Sequence, residues 1–158
     1  MVHVIAVPEH KVIANILVGA RPREATFSKD GRWAYVSSEI GGQVAKLDVA
    51  ANKIVKTVKL KLKKVKPKGV LLSHDQKTLY VSTGRANSVA VLDADTLAHN
   101  ETIPVGKRVW GLALSRDGSR LYTCNGVDHT VSVVDTAANK EIAKIAVGKF
   151  PWGVVIDD

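Results

Sequence analysis

The sequence predicts an all-β fold built from repeated four-stranded antiparallel sheets, and three observations carry that expectation. A Ser-x-Asp turn recurs as Ser28-Lys29-Asp30-Gly31, Ser73-His74-Asp75-Gln76 and Ser115-Arg116-Asp117-Gly118. Each turn leads into a short Tyr-containing strand-like run, and each unit then closes an apolar run on Asp48, Asp93 or Asp135. Both series advance by 45 and then 42 residues, so the units share one register. A period of about 40–45 residues with several strands per unit marks a blade of a β-propeller. The expected architecture is a partial propeller ring of about 3.5 blades.

The last complete unit defines the four strands. Gly111–Ser115 reads as strand a, closed by a turn in which Gly118 permits positive φ. Arg120–Cys124 reads as strand b, Thr130–Asp135 as strand c and Glu141–Ile145 as strand d. The runs are short, β-branched and bounded by Gly, Asn and Asp, which favours strands over helices. Small residues recur at one strand-c position (Ala45, Ala90, Ser132), as close blade-to-blade packing requires. Over the whole chain this divides residues 1–19 (strands c and d of a broken blade), 20–63, 64–105 and 106–147 (three blades), and 148–158 (strand a of a further blade). An open arc leaves unpaired edges at both ends, so either self-association through the end blades or further N-terminal blades is expected.

Composition narrows the function. The longest uncharged apolar stretches fall short of the roughly 18 residues a spanning helix needs. Met1 runs into strand-like residues without a basic leader, so the chain as written would stay where it is made, in the cytoplasm if Met1 is the true start. The single Cys124 allows no internal disulfide and sits in a strand run, as a small buried hydrophobe would. The net charge is +8, and eight lysines with no acid lie between Lys53 and Lys68. The basicity is therefore a local stripe. Lys59, Lys61 and Lys63 alternate with leucines, predicting an outermost strand with lysines outward. With Lys64 and Lys66 they also form a candidate docking stripe for an acidic partner. The stripe lacks interleaved aromatics, which argues against nucleic acid.

In a radial fold the d–a and b–c loops crowd one face around the channel. Equivalent d–a positions are Arg23, Lys68, Trp110 and Trp152, with Arg21 and Arg108 beside them. Two indoles and several cations at a channel mouth can hold a planar anion by stacking and ion pairing. They can equally plug the channel, with the cations solvated. Glu24 stands where the other units carry Gly69, Gly111 and Gly153, and is expected to pair with Arg21 or Arg23. The histidines do not converge as a metal site; His129, on a b–c loop, is a surface residue or at most an axial haem ligand. No hydrolase, phosphate-loop or dinucleotide motif is present, and no catalytic residue is assigned.

The strand-b segments Tyr35-Val36-Ser37-Ser38, Tyr80-Val81-Ser82-Thr83 and Tyr122-Thr123-Cys124-Asn125 resemble degenerate forms of the Tyr-Val-Thr-Asn propeller repeat. Val36–Gly42, Gly106–Trp110, Leu121–Val127 and Pro151–Val155 are together similar to the C-terminal half of propeller proteins associated with pyrroloquinoline quinone (PQQ)-dependent alcohol catabolism. That resemblance implies a periplasmic, non-enzymatic binding or scaffold protein, a chain about twice this length with an export signal, and a redox partner or anionic small molecule. No cofactor is predicted, and PQQ or haem are the ligands to be considered. The alternatives are a lactonase-like or haem-dependent propeller enzyme and a cell-surface interaction repeat.

Overall fold

A computed structural model describes residues 1–157, and all its regular structure is β-strand. Strands β1 (Val2–Ala6) and β2 (Lys11–Ile16) form a two-stranded sheet. Three four-stranded antiparallel sheets follow. The first comprises β3 (Pro22–Phe27), β4 (Trp33–Ser38), β5 (Gln43–Asp48) and β6 (Lys53–Lys59). The second comprises β7 (Val70–Leu72), β8 (Thr78–Ser82), β9 (Ser88–Asp93) and β10 (His99–Pro104). The third comprises β11 (Val109–Leu114), β12 (Arg120–Asn125), β13 (Thr130–Asp135) and β14 (Lys140–Ala146). Each is a meander in sequence order, the arrangement of a propeller blade. No helix among the described residues is long and apolar enough to cross a membrane.

The repeated turns explain the register. In each, the serine hydroxyl donates to the aspartate two residues on: Ser28 to Asp30 at 2.5 Å, Ser73 to Asp75 and Ser115 to Asp117 at 2.6 Å. The same hydroxyl accepts the N–H of the first strand-b residue (Trp33, Thr78, Arg120) at 2.9–3.0 Å. Gly31, Gln76 and Gly118 occupy the left-handed region at φ 70°, 64° and 73°, so Gln76 fills a glycine position without a glycine. At the other end of each unit Asp48, Asp93 and Asp135 accept backbone N–H groups two or three residues ahead, closing the c–d turn. A register shift falls at the corresponding place in the outer strand pair of every sheet, adding twist to the blade.

The core lies between sheets rather than within one. Tyr35 of the first blade packs with Val70, Leu72, Leu79, Val81, Leu92 and Ala94 of the second. Tyr80 packs likewise with Leu112, Leu121 and Val134 of the third. Ala45, Ala90 and Ser132 are each fully buried, which meets the need for small residues at that strand-c position.

One expectation about an element fails. The lysine–leucine alternation at 59–63 is not a strand: β6 ends at Lys59. The Leu60 N–H turns to the Gly42 carbonyl at 2.9 Å and buries its side chain, and Lys64 takes φ 62°, which no strand permits. Residues 151–157 form no ladder, although the Gly111 N–H donates to the Trp152 carbonyl at 3.1 Å. An innermost strand takes its ladder from the strand b that follows it, and no such strand follows within these residues. Asp158, the last residue of the segment read as a further strand a, lies outside the described residues.

Candidate functional site

Three of the four d–a loops begin at a glycine, and the residue two further on is left-handed: Arg21 at φ 58°, Arg108 at 60° and Phe150 at 55°; in the fourth, Lys64 stands at the glycine position and is itself left-handed at φ 62°. Backbone bonds then tie each d–a loop to the b–c loop of its own blade. Glu39 N–H donates to the Arg21 carbonyl at 2.8 Å, Lys66 N–H to Thr83 at 2.9 Å and Gly126 N–H to Arg108 at 3.1 Å. The mouth of the arc is thus held by main chain, and its side chains project from fixed points.

Innermost strands touch across blades. A Cβ on Gly69 would stand 2.6 Å from the Trp110 carbonyl, and one on Gly111 2.8 Å from Gly153 Cα. Glycine at these positions is a close-packing requirement. It brings the residue before each glycine, Lys68, Trp110 and Trp152, towards one axis.

There the structure opens a cleft of about 150 Å³ lined by Arg21, Arg23, Lys68, Arg108, Trp110 and Trp152, the six residues singled out from sequence. Glu39, Lys66, Gly84 and Arg85 complete the wall. The indoles of Trp110 and Trp152 meet with centroids 4.3 Å apart and planes tilted by 48°. Lys68 Nζ sits 4.6 Å and the Arg23 guanidinium 5.6 Å from the Trp152 ring, while Arg108 lies 5.3 Å from Trp110. Cations placed over indole faces gain from the ring quadrupole. Burial pushes Lys68 below the usual lysine range; the Glu24 charge opposes that shift and Arg23 adds to it.

Six cations share this cleft with one carboxylate. Arg21 Nε and Arg23 Nε both approach Glu39 Oε2, at 3.3 and 3.4 Å. This corrects the expected pairing with Glu24, which makes no ion pair within 4.0 Å among the described residues. The cause is placement: the Glu39 N–H is bonded to the Arg21 carbonyl, which brings the Glu39 side chain alongside the two arginines. Partly exposed pairs of this kind contribute little, about 0–1 kcal/mol. Glu39 therefore orients the guanidiniums and leaves most of the positive charge unneutralised.

An adjoining cleft of about 460 Å³ is lined by Lys64, Lys66, Arg85, Asn87, Lys107, Arg108 and Val127. The stripe is divided accordingly. Lys59, Lys61 and Lys63 are exposed, whereas Lys64 and Lys66 line these clefts. Lys66 stands 45 residues after Arg21, so it belongs to the same repeat position as Arg21 and Arg108. Arg85 and Glu39 come from b–c loops on the same face.

The other candidates stand apart. His129 Nδ1 accepts the Phe150 N–H at 3.1 Å, and its ring meets Phe150 edge-on at 4.8 Å. His74 bonds the Ser115 carbonyl, bridging two turns. Among the described residues no group of three or more His, Cys, Asp or Glu stands together as a metal site. Cys124 is buried in β12, which raises its thiol pKa, with the Lys68 charge opposing the shift. Chemically, the cleft can bind and orient an anion. Its one lining carboxylate, Glu39, is shared by two guanidiniums, and no histidine lines it.

Comparison with known proteins agrees with this architecture. Residues 8–146 match the family described as "Lactonase, 7-bladed beta-propeller". The chain belongs to that family of β-propellers. Among solved structures, a candidate 6-phosphogluconolactonase from Bacteroides fragilis NCTC 9343 superposes with a TM-score of 0.78 at 24% identity, over 95% of this chain and 45% of that one. Hydrazine synthase from Kuenenia stuttgartiensis gives 0.76 at 24% identity, over 86% of this chain and 38% of that one. The WD40 repeats of RRP9 give 0.71 at 19% identity, over 82% and 39%. These likenesses share the fold, and the chain spans less than half the length of each of these structures. No curated protein sequence matches it significantly.

Proposed function

We propose that the chain is the anion-binding arc of a β-propeller, and that its channel mouth holds a small carboxylated or phosphorylated compound. One observation carries this: six cations and two indoles converge on a cleft with a single carboxylate. Guanidinium forks suit carboxylate and phosphate oxygens, and the indole pair suits a flat ring face. The family description and the neighbour described as a candidate 6-phosphogluconolactonase support a sugar-acid or lactone-sized anion. The similarity of Gly106–Trp110 and Pro151–Val155 to PQQ-associated propellers supports PQQ, a planar tricarboxylate, and with it a periplasmic, non-catalytic binding or scaffold role. Binding is favoured over hydrolysis by these residues because Glu39 is not free to act as a base.

Titration calorimetry with 6-phosphogluconate and with PQQ tests the proposal. Saturable binding of either, lost in the Arg23→Ala/Trp110→Ala double variant, is the expected result. Heats that do not saturate, or an affinity unchanged in the double variant, would refute the site.

A further inference from the structure

The positive charge of the chain is concentrated at one end of its blades. In a meander the d–a and b–c loops leave one face of the arc, and the a–b and c–d turns leave the other. Across the three complete blades, the d–a and b–c loops (17–21, 39–42, 60–69, 83–87, 105–108 and 126–129) carry nine lysines and arginines against two carboxylates. The a–b and c–d turns of the same blades carry four against four. Both carboxylates of the basic face are committed. Glu39 lies against Arg21 and Arg23, and Asp128 Oδ2 accepts the Lys107 N–H at 2.7 Å. Of the nine cations only Arg21 forms an ion pair within 4.0 Å among the described residues.

Main-chain bonds hold these loops together. Lys66 N–H donates to the Thr83 carbonyl at 2.9 Å, and Val127 N–H to the Lys107 carbonyl at 3.2 Å. Arg108 N–H donates to Asn87 Oδ1 at 3.0 Å. Lys61, Lys63, Lys64, Arg85, Lys107 and Arg108 are all exposed. Unpaired like charges repel one another, and an anionic counter-surface relieves that repulsion.

Apolar side chains stand among the cations. Ile40, Arg85 and Val127 share one b–c position, separated by 45 and 42 residues. Ile40 is 58% exposed and Val127 42% exposed. Arg85 is exposed as well, with a complete blade on either side of its own, so exposure at this position belongs to the repeat and not to an end of the arc. Basic charge attracts a protein to anionic headgroups, and apolar side chains at the same face gain by entering the boundary with the acyl chains. An acidic peptide in one cleft would leave unexplained both the spread of charge over three blades and the exposed Ile40.

We propose that the d–a and b–c face docks on an anionic lipid surface. Ile40 and Val127 enter the headgroup layer, the surrounding lysines and arginines meet lipid phosphates, and the a–b turns face water.

The test is co-sedimentation of the full chain with vesicles of phosphatidylcholine alone and with about a third phosphatidylglycerol. Saturable binding to the anionic vesicles only, weakening as salt rises, is expected. Lys63→Glu/Lys107→Glu should weaken it about tenfold or more, since each basic residue near an anionic surface is worth about fivefold. Lys77→Glu/Arg116→Glu makes the same change of net charge on the opposite face and should leave binding nearly unchanged. Ile40→Ser/Val127→Ser should lower the binding that survives high salt. None of these residues lines the channel-mouth cleft, so small-anion binding there is a separate measurement. No sedimentation, equal binding to neutral vesicles, or equal loss in the two charge-reversed variants would overturn the proposal. Saturable binding of polyglutamate without vesicle binding would overturn it too, assigning the face to an acidic protein.

Discussion

Ser82 bridges two blades: its hydroxyl accepts the Gly69 N–H at 2.7 Å and donates to the Trp110 carbonyl at 2.7 Å. Ser37 makes the corresponding contact to the Lys68 carbonyl. Strand-b serines therefore set the height at which Lys68 and Trp110 enter the channel mouth. Ser82→Ala leaves a buried N–H and carbonyl without this partner, a loss of about 1–3 kcal/mol in urea unfolding. The tryptophan emission maximum should shift in the folded variant, whereas Ser73→Ala, in a turn that bonds no tryptophan, should leave it in place.

At the third repeat of that position stands Cys124, 1% exposed. Burial raises its pKa and hides the sulfur, so the thiolate needed for reaction is scarce and inaccessible. Reaction with a disulfide reagent at pH 8 should be negligible in the native chain and complete in urea. Rapid native labelling would show that the blade edge opens.

The Ser-x-Asp turns predict an acid-side loss of stability. The Ser115 hydroxyl and the Ser119 N–H hold Asp117 down at about 2, below its ordinary 3.8. Asp30 and Asp75 are lowered by the same pattern of serine hydroxyl and backbone N–H. Because the folded pKa is depressed, the contribution is complete above about 4 and drains away as pH falls towards about 2. A carboxyl-detected NMR titration should give Asp117 a midpoint well below a model peptide. Asp117→Asn should flatten the pH dependence of unfolding in this window.

Lys46 is buried to 4% exposure, with its ammonium 2.8 Å from Asp95 and 4.6 Å from the Trp33 ring centre. Its stem fills the junction between the first two blades, and its charge leaves through an exposed carboxylate. Lys46→Ala should therefore destabilise by about 2 kcal/mol, whereas Lys46→Met, which keeps the stem, should cost less than about 1 kcal/mol. Thermal unfolding of both variants separates packing from charge.

The blades were legible because each carries its own local chemistry: a serine-aspartate turn, a strand-b tyrosine and a closing aspartate, all in one register. The channel mouth was legible for the same reason, since Arg23, Lys68, Trp110 and Trp152 are one repeat position. What escaped depends on contacts between different loops. Glu39, not Glu24, takes the arginines because a backbone bond from the neighbouring loop brings it there. Arg85 reaches the cleft from a b–c loop whose side-chain direction no periodicity specifies. The alternation at Lys59–Lys63 mimics a strand, but the outward lysines and the inward Leu60 arise in irregular chain held by the Gly42 carbonyl.

The most direct test of the anion-binding arc is the indole N–H region of a nitrogen-15 NMR spectrum during titration with 6-phosphogluconate. The chain has three tryptophans, and Trp33 lies away from the mouth, against Arg32 and Lys46. Saturable shifts of Trp110 and Trp152 with Trp33 stationary, weakening as salt rises, are the predicted result. Three stationary resonances, or equal drift of all three, would contradict it.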